Sequence, residues 1–451
     1  MTTGRYRVAL GALAAADVVL RLWVASAIPS RPISDFAEYF ATARSLLQRG
    51  AYEIAPGNPN GNHPPAYPLL LAGAMGLAPS GDELLAAKCL NAALSGLAVL
   101  LGATLARRLW GPAAGLWTAG WIAFFPRSLL SADLVASENL FTPLLLLFLL
   151  LCSVSWTSGR APALALAAAI GLAVGLLALT RSVAFVLPVV WLLGALAARR
   201  RPRIWAAELL LMLAAQHVLM LPWAVRNART FGRFTFLNSV GGIGLFIGNN
   251  ANATGHWYPW AGDLERLRPG VHARGLVAVD AAAREEAWRW IRENPGRAAA
   301  LYAHKLRLIL TDDADAANFT ILVDASSPSG ERVTVLPGPH PLKAHAAPLR
   351  WVLRVGGLLL AGAGLGGWIL IARGALNGSD RARALAVGFA ACALYVPILS
   401  ATIAVSGRYR WPAEDTLMPL AGLFCAWIAS GRPAGWDPLL SLNGPEGVPL
   451  A

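Results

Sequence analysis

Apolar residues in this chain fall into long runs that are separated by shorter polar stretches. A helix that crosses a bilayer needs about 20 mostly apolar residues, and ten runs approach or reach that length. They cover residues 8–28, 84–106, 112–131, 139–157, 162–179, 183–198, 204–223, 351–372, 384–404 and 415–430. The pattern predicts an all-α polytopic membrane protein with about ten or more transmembrane helices.

The arginines orient these runs. Short loops rich in Arg and Lys face the cytoplasm, and a cytoplasmic N-terminus with strict alternation places the short Arg clusters on that side. These clusters are Arg5/Arg7, Arg107/Arg108, Arg160, Arg199 to Arg203, Arg373 and Arg381/Arg383. Two long segments then lie outside, here named the first long segment (29–83) and the second long segment (224–350). We expect one transmembrane domain over 1–430 in the cytoplasmic membrane, with a cytoplasmic tail at 431–451.

The two long segments carry helices and loops of their own. In the first, an interfacial helix is expected from Asp35 to Arg49, and the Pro-, Gly- and Asn-rich stretch from Pro56 to Pro68 predicts a loop. In the second, helices are expected near Ala281 to Glu293 and around Arg297 to Leu310. The polar, Pro-rich stretch from Asp324 to His345 predicts a surface loop.

Composition supports the membrane assignment. Of the 451 residues, 56% are hydrophobic and only 14% are charged, whereas soluble domains carry about 25% charged residues. The net charge of +13 is the kind of balance that nucleic-acid-binding proteins show. Here much of the excess sits in the short loops, so we interpret it as a topology signal and predict no nucleic-acid partner.

Carboxylates mark the expected outer face. Asp35 and Glu38 lie three residues apart just after the first run, and Asp133 and Glu138 bracket the turn between the third and fourth runs. Such residues can serve simply as helix caps or solvated chain ends. Alternatively, a partly desolvated carboxylate can act as a general base toward a hydroxyl, and two acidic loops on one face, with Asp35 and Glu138, could hold a divalent ion.

Basic residues on that same face run against the usual topology bias. Lys88 and Arg181 lie near the outer ends of runs, and Arg408 and Arg410 stand between the last two runs, flanked by aromatics. Snorkelling toward lipid headgroups would explain each of them singly. A bound phosphate would explain them together, because Arg offers a planar fork to phosphate oxygens and Lys a point charge.

The motif His63-Pro64-Pro65-Ala66-Tyr67-Pro68 completes the candidate site, with His63 and Tyr67 as substrate-binding residues. Other polar residues have structural readings: Asp17 and Arg21 are spaced to pair on one helix face, and His217 is a buried polar residue without an assigned role. Gly171/Gly175 and Gly362/Gly366 have the small-xxx-small spacing of closely packed helices.

Taken in order along the chain, these pieces resemble the GT-C membrane glycosyltransferases, specifically the bacterial family 39 type, which is related to the protein O-mannosyltransferases and the lipid A aminoarabinose transferase. The resemblance rests on features spread from Asp35 to Pro419. These are Asp35, the His63–Pro68 motif, Ser137-Glu138, Leu179-Thr180-Arg181, Gly248-Asn249-Asn250 and Arg408-Tyr409-Arg410.

The resemblance implies an inverting transfer of a sugar from a polyprenyl-phosphate donor at the outer face of the membrane. Asp35 matches the family's catalytic first-loop aspartate, and Glu138 matches its second acidic position, with Glu38, three residues after Asp35, as a further catalytic candidate. Lys88, Arg181, Arg408 and Arg410 become candidates for binding the carrier phosphate, and Asp133 for binding substrate. The acceptor is a glycan, a lipid or a protein.

Two departures from the family pattern matter. The protein O-mannosyltransferases have adjacent Asp-Glu in the first loop, whereas here Asp35 is followed by Phe36, which argues against a protein Ser/Thr acceptor. No large soluble domain is expected after the last run, which leaves the segment 224–350 to select the acceptor.

Two other functional classes fit part of the pattern. A transporter or flippase of lipid-linked saccharides would place ionisable residues near the bilayer midplane, where Asp17, Arg21 and His217 are expected. A non-catalytic assembly partner in the cell envelope would need none of the outer-face charges.

Overall fold

The computed structural model describes residues 1–28, 30–78, 81–157, 164–311, 324–326, 332–334 and 345–431. Helices dominate these residues. Up to the second long segment they are α1 (Thr3–Ala27), α2 (Asp35–Arg49), α3 (Ala66–Gly76), α4 (Glu83–Trp110), α5 (Pro112–Phe124), α6 (Pro126–Ser131), α7 (Glu138–Thr157), α8 (Leu164–Thr180), α9 (Leu187–Ala197) and α10 (Pro202–Phe231). A 3-10 turn at Ser182–Val186 precedes α9.

The remaining helices belong to the second long segment and the C-terminal part. They are α11 (Gly241–Gly248), α12 (Ala261–Leu267), α13 (Leu276–Glu293), α14 (Pro295–Thr311), α15 (Ala346–Leu376), α16 (Asp380–Ser400) and α17 (Trp411–Ala429). Further 3-10 turns lie at His272–Arg274 and Gly407–Arg410. The strands are short antiparallel pairs, Glu53–Ala55 with Asn58–Pro59 and Asp324–Ser326 with Arg332–Thr334.

Each predicted apolar run overlaps at least one helix of the described residues. Within the described residues, six helices are long and apolar enough to cross a membrane: α1, α4, α7, α10, α15 and α16. The architecture confirms the all-α polytopic prediction, although fewer than ten helices in the described part of the chain reach spanning length. Run 112–131 is two helices, because Phe125 is extended before Pro126 and the residue before a proline disfavours the α region.

The first long segment begins as predicted and then differs. Helix α2 has Asp35 and Glu38 in its first turn, where the helix dipole favours anions, and Gly50 ends it in the left-handed conformation that suits glycine. The start of the expected loop belongs to a small β-hairpin. Helix α3 begins at Ala66, before the end of the stretch that was expected to be a loop. Buried Phe36 and Tyr39 pack α2 into the core that the membrane helices form.

The second long segment matches its two predicted helices closely. Helix α13 begins five residues before the expected Ala281 and ends at Glu293, and α14 covers the second predicted helix. The stretch from Asp324 to His345 contains one strand pair, and its other residues up to 344 lie outside the described part of the chain. The predicted tail lies outside it as well, apart from Gly431.

Glycines let α8 and α10 approach closely. A Cβ on Gly171 would collide with the backbone carbonyl group of Met212, and one on Gly175 would come within 3.1 Å of the Gln216 carbonyl oxygen. The helices therefore pack through small residues, as the glycine spacing predicted. By contrast, Gly362 has open space around its Cα.

This contrast gives a test of the packing. We expect Gly171→Val to destabilise the folded protein by about 1–3 kcal/mol, because overpacking forces backbone shifts. The measurement is the unfolding temperature of purified protein in detergent. Gly362→Val is the matched control, with the same substitution in a helix and no neighbour to displace, and equal unfolding temperatures for the two variants would contradict the assignment.

Candidate active site

Four charged residues from distant parts of the sequence meet at the ends of helices. Asp35 begins α2, Glu138 begins α7, Arg181 follows α8, and Arg408 lies in the 3-10 turn at Gly407–Arg410. We name these four the charge cluster. The first long segment, the turn before α7, the end of α8 and the turn before α17 thus converge on one point, as the sequence analysis expected for residues sharing a face.

The charge cluster is a chain of ion pairs. The Arg408 guanidinium binds the Asp35 carboxylate, and its Nε lies 3.8 Å from Glu138 Oε1. Arg181 binds the same Glu138 oxygen from the other side. Two cations and two anions balance, which is what burial of such groups demands.

Asp35 is the open end of the cluster. Its side chain is 39% exposed, against 4% for Glu138 and 11% for Arg408. Burial acts to raise the pKa of Asp35, but the positive charge of Arg408 outweighs it and lowers the pKa to about 2. Asp35 is therefore ionised at neutral pH, and it is a weak base for as long as Arg408 holds it.

The backbone that presents Asp35 is unusual. Ser34, directly before it, has φ 51° and ψ −133°, a conformation that a residue with a side chain rarely adopts. Such positions cost of order 1–3 kcal/mol and concentrate at functional sites.

Aromatic rings line the charge cluster. The Arg181 and Arg408 guanidiniums lie 5.8 and 5.9 Å from the Tyr409 ring centroid, and Arg408 also lies 5.3 Å from Phe36. Cation–π contacts of this kind favour a desolvated cation. The rings hold both guanidiniums in place without adding negative charge.

Glu38 and His63 form a second pair beside the cluster. Glu38 Oε2 accepts a hydrogen bond from Asn62 Nδ2 at 2.9 Å and lies 2.9 Å from His63 Nε2. The His63 ring packs on Tyr39, with centroids 4.3 Å apart, and the Tyr39 hydroxyl donates to Ser137 Oγ at 3.1 Å. The pair thus reaches the residue preceding Glu138, and Glu38 is 32% exposed on its side chain.

Lys88 and Asp133 are brought to each other and not into the charge cluster. They form a buried ion pair, and the Lys88 ammonium also donates to the Ile28 carbonyl oxygen at 2.9 Å. Asp133 additionally accepts from Ser30. These contacts engage the donors of Lys88, so its geometry is that of a structural brace and not of a phosphate ligand.

Tyr67 is connected to the site through Asn91 and does not itself join the charge cluster. Its hydroxyl donates to Asn91 Oδ1 at 3.0 Å, and the Asn91 amide donates to the carbonyl oxygens of Ala132 and Leu134 at 3.1 and 2.8 Å. Tyr67 is fully buried. It therefore fixes the turn that leads to Glu138.

Arg410, only two residues from Arg408, points elsewhere. Its Nε donates to Glu414 at 2.8 Å, and its Nη1 donates to the Leu310 carbonyl oxygen at 2.9 Å. Glu414 also accepts from Arg127 at 2.8 Å, and Arg127 binds Asp415 at 2.7 Å. This buried network was not predicted from the sequence, although the acidic pair Glu414-Asp415 beside an apolar run was a signal for it.

The residues present do not fit a divalent ion at Asp35 and Glu138. Both carboxylates are already bound to guanidiniums, so a dication there would face Arg181 and Arg408 directly. Within the described residues, no group of three or more His, Cys, Asp or Glu side chains could hold a metal.

Comparison with known proteins identifies the fold. No protein-family model and no curated protein sequence matches the chain. Among solved structures, the archaeal oligosaccharyltransferase AglB from Archaeoglobus fulgidus, in complex with an inhibitory peptide and a dolichol-phosphate, matches with a TM-score of 0.56 and 15% identity over 94% of this chain and 50% of its own. The apo form of the Archaeoglobus fulgidus oligosaccharyltransferase matches with a TM-score of 0.55 and 17% identity, over 98% of this chain and 54% of its own.

ArnT from Cupriavidus metallidurans bound to undecaprenyl phosphate matches with a TM-score of 0.45 and 14% identity, over 95% of this chain and 79% of its own. The chain spans about half the length of the oligosaccharyltransferases. Its fold is similar to that of the archaeal oligosaccharyltransferases, while the assignment to the GT-C glycosyltransferases of the family 39 type stays a prediction.

The buried part of the charge cluster can be tested through stability. Arg181→Met leaves Glu138 with only the more distant Arg408, and removing one partner of a buried pair costs about 3–5 kcal/mol. We expect a lower unfolding temperature, and partial recovery when Glu138→Gln is added. Arg44→Met, which breaks the surface pair with Glu83, is the control and should cost under about 1 kcal/mol. No recovery in the double variant would contradict the pairing.

Proposed function

We propose that this protein is an inverting glycosyltransferase that moves a sugar from a polyprenyl-phosphate-linked donor to an acceptor hydroxyl at the outer face of the cytoplasmic membrane. The observation that carries the proposal is the charge cluster: two arginines whose side chains are only 17% and 11% exposed, balanced by two carboxylates and open at Asp35, on a fold similar to that of the archaeal oligosaccharyltransferases. That one neighbour in fold is in complex with a dolichol-phosphate supports the same class of donor.

Arg408 and Arg181 are the proposed phosphate ligands. In the absence of donor, Asp35 and Glu138 neutralise them. A donor phosphate would compete for Arg408 with Asp35, its more exposed partner, and the guanidinium would offer the oxygens two parallel N–H donors. Donor binding would thereby loosen the contact that keeps Asp35 a weak base.

Asp35 is the proposed general base. Once released from Arg408, its pKa moves from about 2 toward the ordinary value of 3.8, and it can accept the proton of an acceptor hydroxyl. The acceptor oxygen forms a bond to the anomeric carbon while the bond from that carbon to the phosphate oxygen breaks. The electron pair leaves with the phosphate, which Arg408 and Arg181 stabilise, and attack from the opposite side inverts the anomeric centre.

The neighbouring residues divide the remaining tasks. Glu138 orients Arg181 and Arg408. Glu38, which is partly exposed, and its more buried partner His63 are proposed to bind acceptor hydroxyls. The other predicted site residues act through structure: Tyr67, Lys88, Asp133 and Arg410.

A lipid flippase is the competing class, and the ionisable residues of the spanning helices argue against it. Asp17 and Arg21 pair at 2.8 Å inside α1, and Arg21 also donates to the Ile122 carbonyl oxygen at 3.1 Å. His217 Nδ1 contacts the Leu213 carbonyl oxygen at 2.7 Å. These groups brace helices, whereas a substrate path would need polar groups that a substrate can reach.

The test of function is sugar transfer. In reconstituted membranes with a panel of radiolabelled polyprenyl-phosphate sugars, we expect wild type to move label to acceptor or water. Asp35→Asn should lower the rate by about 100-fold or more, because general bases contribute about 10²–10⁴-fold, while donor binding persists. Asp82→Asn, an exposed aspartate of the same segment, is the control. Label that crosses the bilayer without transfer would favour the flippase.

Donor binding tests the cation assignment separately. Arg408→Gln should weaken binding of the polyprenyl phosphate by about 10–100-fold, since a hydrogen bond to a charged group contributes about 1.5–3 kcal/mol. Arg274→Gln, on the exposed surface of the second long segment, removes the same charge and should have no effect. Unchanged affinity in Arg408→Gln would remove Arg408 from the phosphate site.

A further inference from the structure

Lysine is rare in this chain and its use is selective. Of the 38 basic residues only three are lysines, at positions 88, 305 and 343. Lys305 lies in α14 and is fully buried. Unlike Lys88, it forms no ion pair with a carboxylate of the described residues, and burial alone lowers its pKa to about 8.

The Lys305 ammonium holds the end of another helix. Its Nζ donates to the Gly248 carbonyl oxygen at 3.0 Å and to Asn249 Oδ1 at 3.3 Å. Gly248 is the last residue of α11, so the cation meets the negative end of that helix. Burying an ammonium group costs free energy unless it is hydrogen-bonded, and here its hydrogen bonds fix the position of the backbone at Gly248.

Gly248 and Asn249 contact residues 402–404, which precede Arg408 in the chain. Asn249 Nδ2 donates to the Thr402 carbonyl oxygen at 2.6 Å. A Cβ on Gly248 would collide with the backbone of Ile403 and Ala404. The link from Lys305 to residues 402–404 therefore runs through one side-chain amide and one backbone contact.

The last turn of α14 contacts the later part of the same stretch. Arg410 Nη1 donates to the carbonyl oxygens of Ile309 and Leu310 at 3.3 and 2.9 Å. Between the two attachments, Ile309 packs with Ala401 and Val405, and Tyr409 lies against this group. Helix α14 thus contacts the stretch 401–410 on both sides of Arg408 in the sequence.

We infer that Lys305 is a positioning residue of the donor-phosphate site, which sets the place of Arg408 through Asn249 and residues 402–404. The inference rests on the proposed function. It assigns the second long segment a part in donor binding, in addition to any part in selecting the acceptor. The link can be broken at either of two residues, Lys305 or Asn249.

The experiment measures undecaprenyl phosphate binding to the full chain in detergent. Lys305→Met keeps the length of the side chain and removes the charge and its hydrogen bonds, and we expect affinity to fall by about tenfold. Arg307→Met, two residues along α14 on its exposed face, removes the same charge and should bind like wild type. Equal affinities of Lys305→Met and wild type would overturn the inference.

A double variant separates positioning from general destabilisation. If Lys305 acts through Arg408, adding Lys305→Met to Arg408→Gln should weaken binding no further, because coupled changes are non-additive. Additive losses would overturn the inference. Asn249→Ala, which removes the contacts to Thr402 and to Lys305 and keeps the lysine charge, should reproduce the loss and serves if Lys305→Met does not fold.

The same assay distinguishes the two proposals. If wild type does not bind undecaprenyl phosphate while it is folded, the proposed function fails. If wild type binds and both Lys305→Met and Asn249→Ala bind equally well, only the positioning role of Lys305 fails.

Discussion

The contact between Arg408 and the two carboxylates of Asp35 and Glu138 is the constraint on which the rest of the site depends. A guanidinium at the end of membrane helices cannot stay buried without anions, because the cost of desolvation exceeds what packing returns. The fold must therefore bring the start of α2, the start of α7 and the turn before α17 to one point. Glycine contacts such as Gly171 on Met212 allow helices elsewhere in the bundle to pack this closely.

The same balance explains how one site could bind an anion and also keep a base. Without donor, each arginine of the charge cluster is paired with a carboxylate, and Asp35 is bound by Arg408. An arriving phosphate is a third anion for two cations, so one carboxylate must lose its partner. Asp35 is the most exposed member, so in the proposed mechanism it is the carboxylate that is released. Donor binding and activation of the base would then be one event.

Much of this was readable from the sequence, and the failures have physical causes. Topology and charge placed Asp35, Glu138, Arg181 and Arg408 at one level of the membrane, and the structure joins them. The membrane topology predicts how deep in the bilayer a residue lies, but it does not predict toward which neighbouring helix its side chain points. Lys88 and Asp133 were therefore expected at the site, and instead they pair with each other. Lys305 was missed because a lone lysine in an amphipathic helix has the pattern of a surface residue, while its burial depends on α11 packing against residues 403–404.

The cations on this side of the bundle divide by what they face. Lys88, Lys305 and Arg410 donate to carbonyl oxygens at the ends of α1, α11 and α14, where the helix dipole favours positive charge. Lys88 and Arg410 also pair with carboxylates, those of Asp133 and Glu414, whose side chains are 0% and 6% exposed. Arg408 instead pairs with Asp35, whose side chain is 39% exposed. A backbone carbonyl or an enclosed carboxylate cannot be displaced without opening the fold, whereas an exposed carboxylate can be replaced by another anion. In the proposed mechanism Arg408 is therefore the cation whose partner a phosphate replaces, and the surroundings of the partner carboxylates distinguish it from Arg410, two residues away.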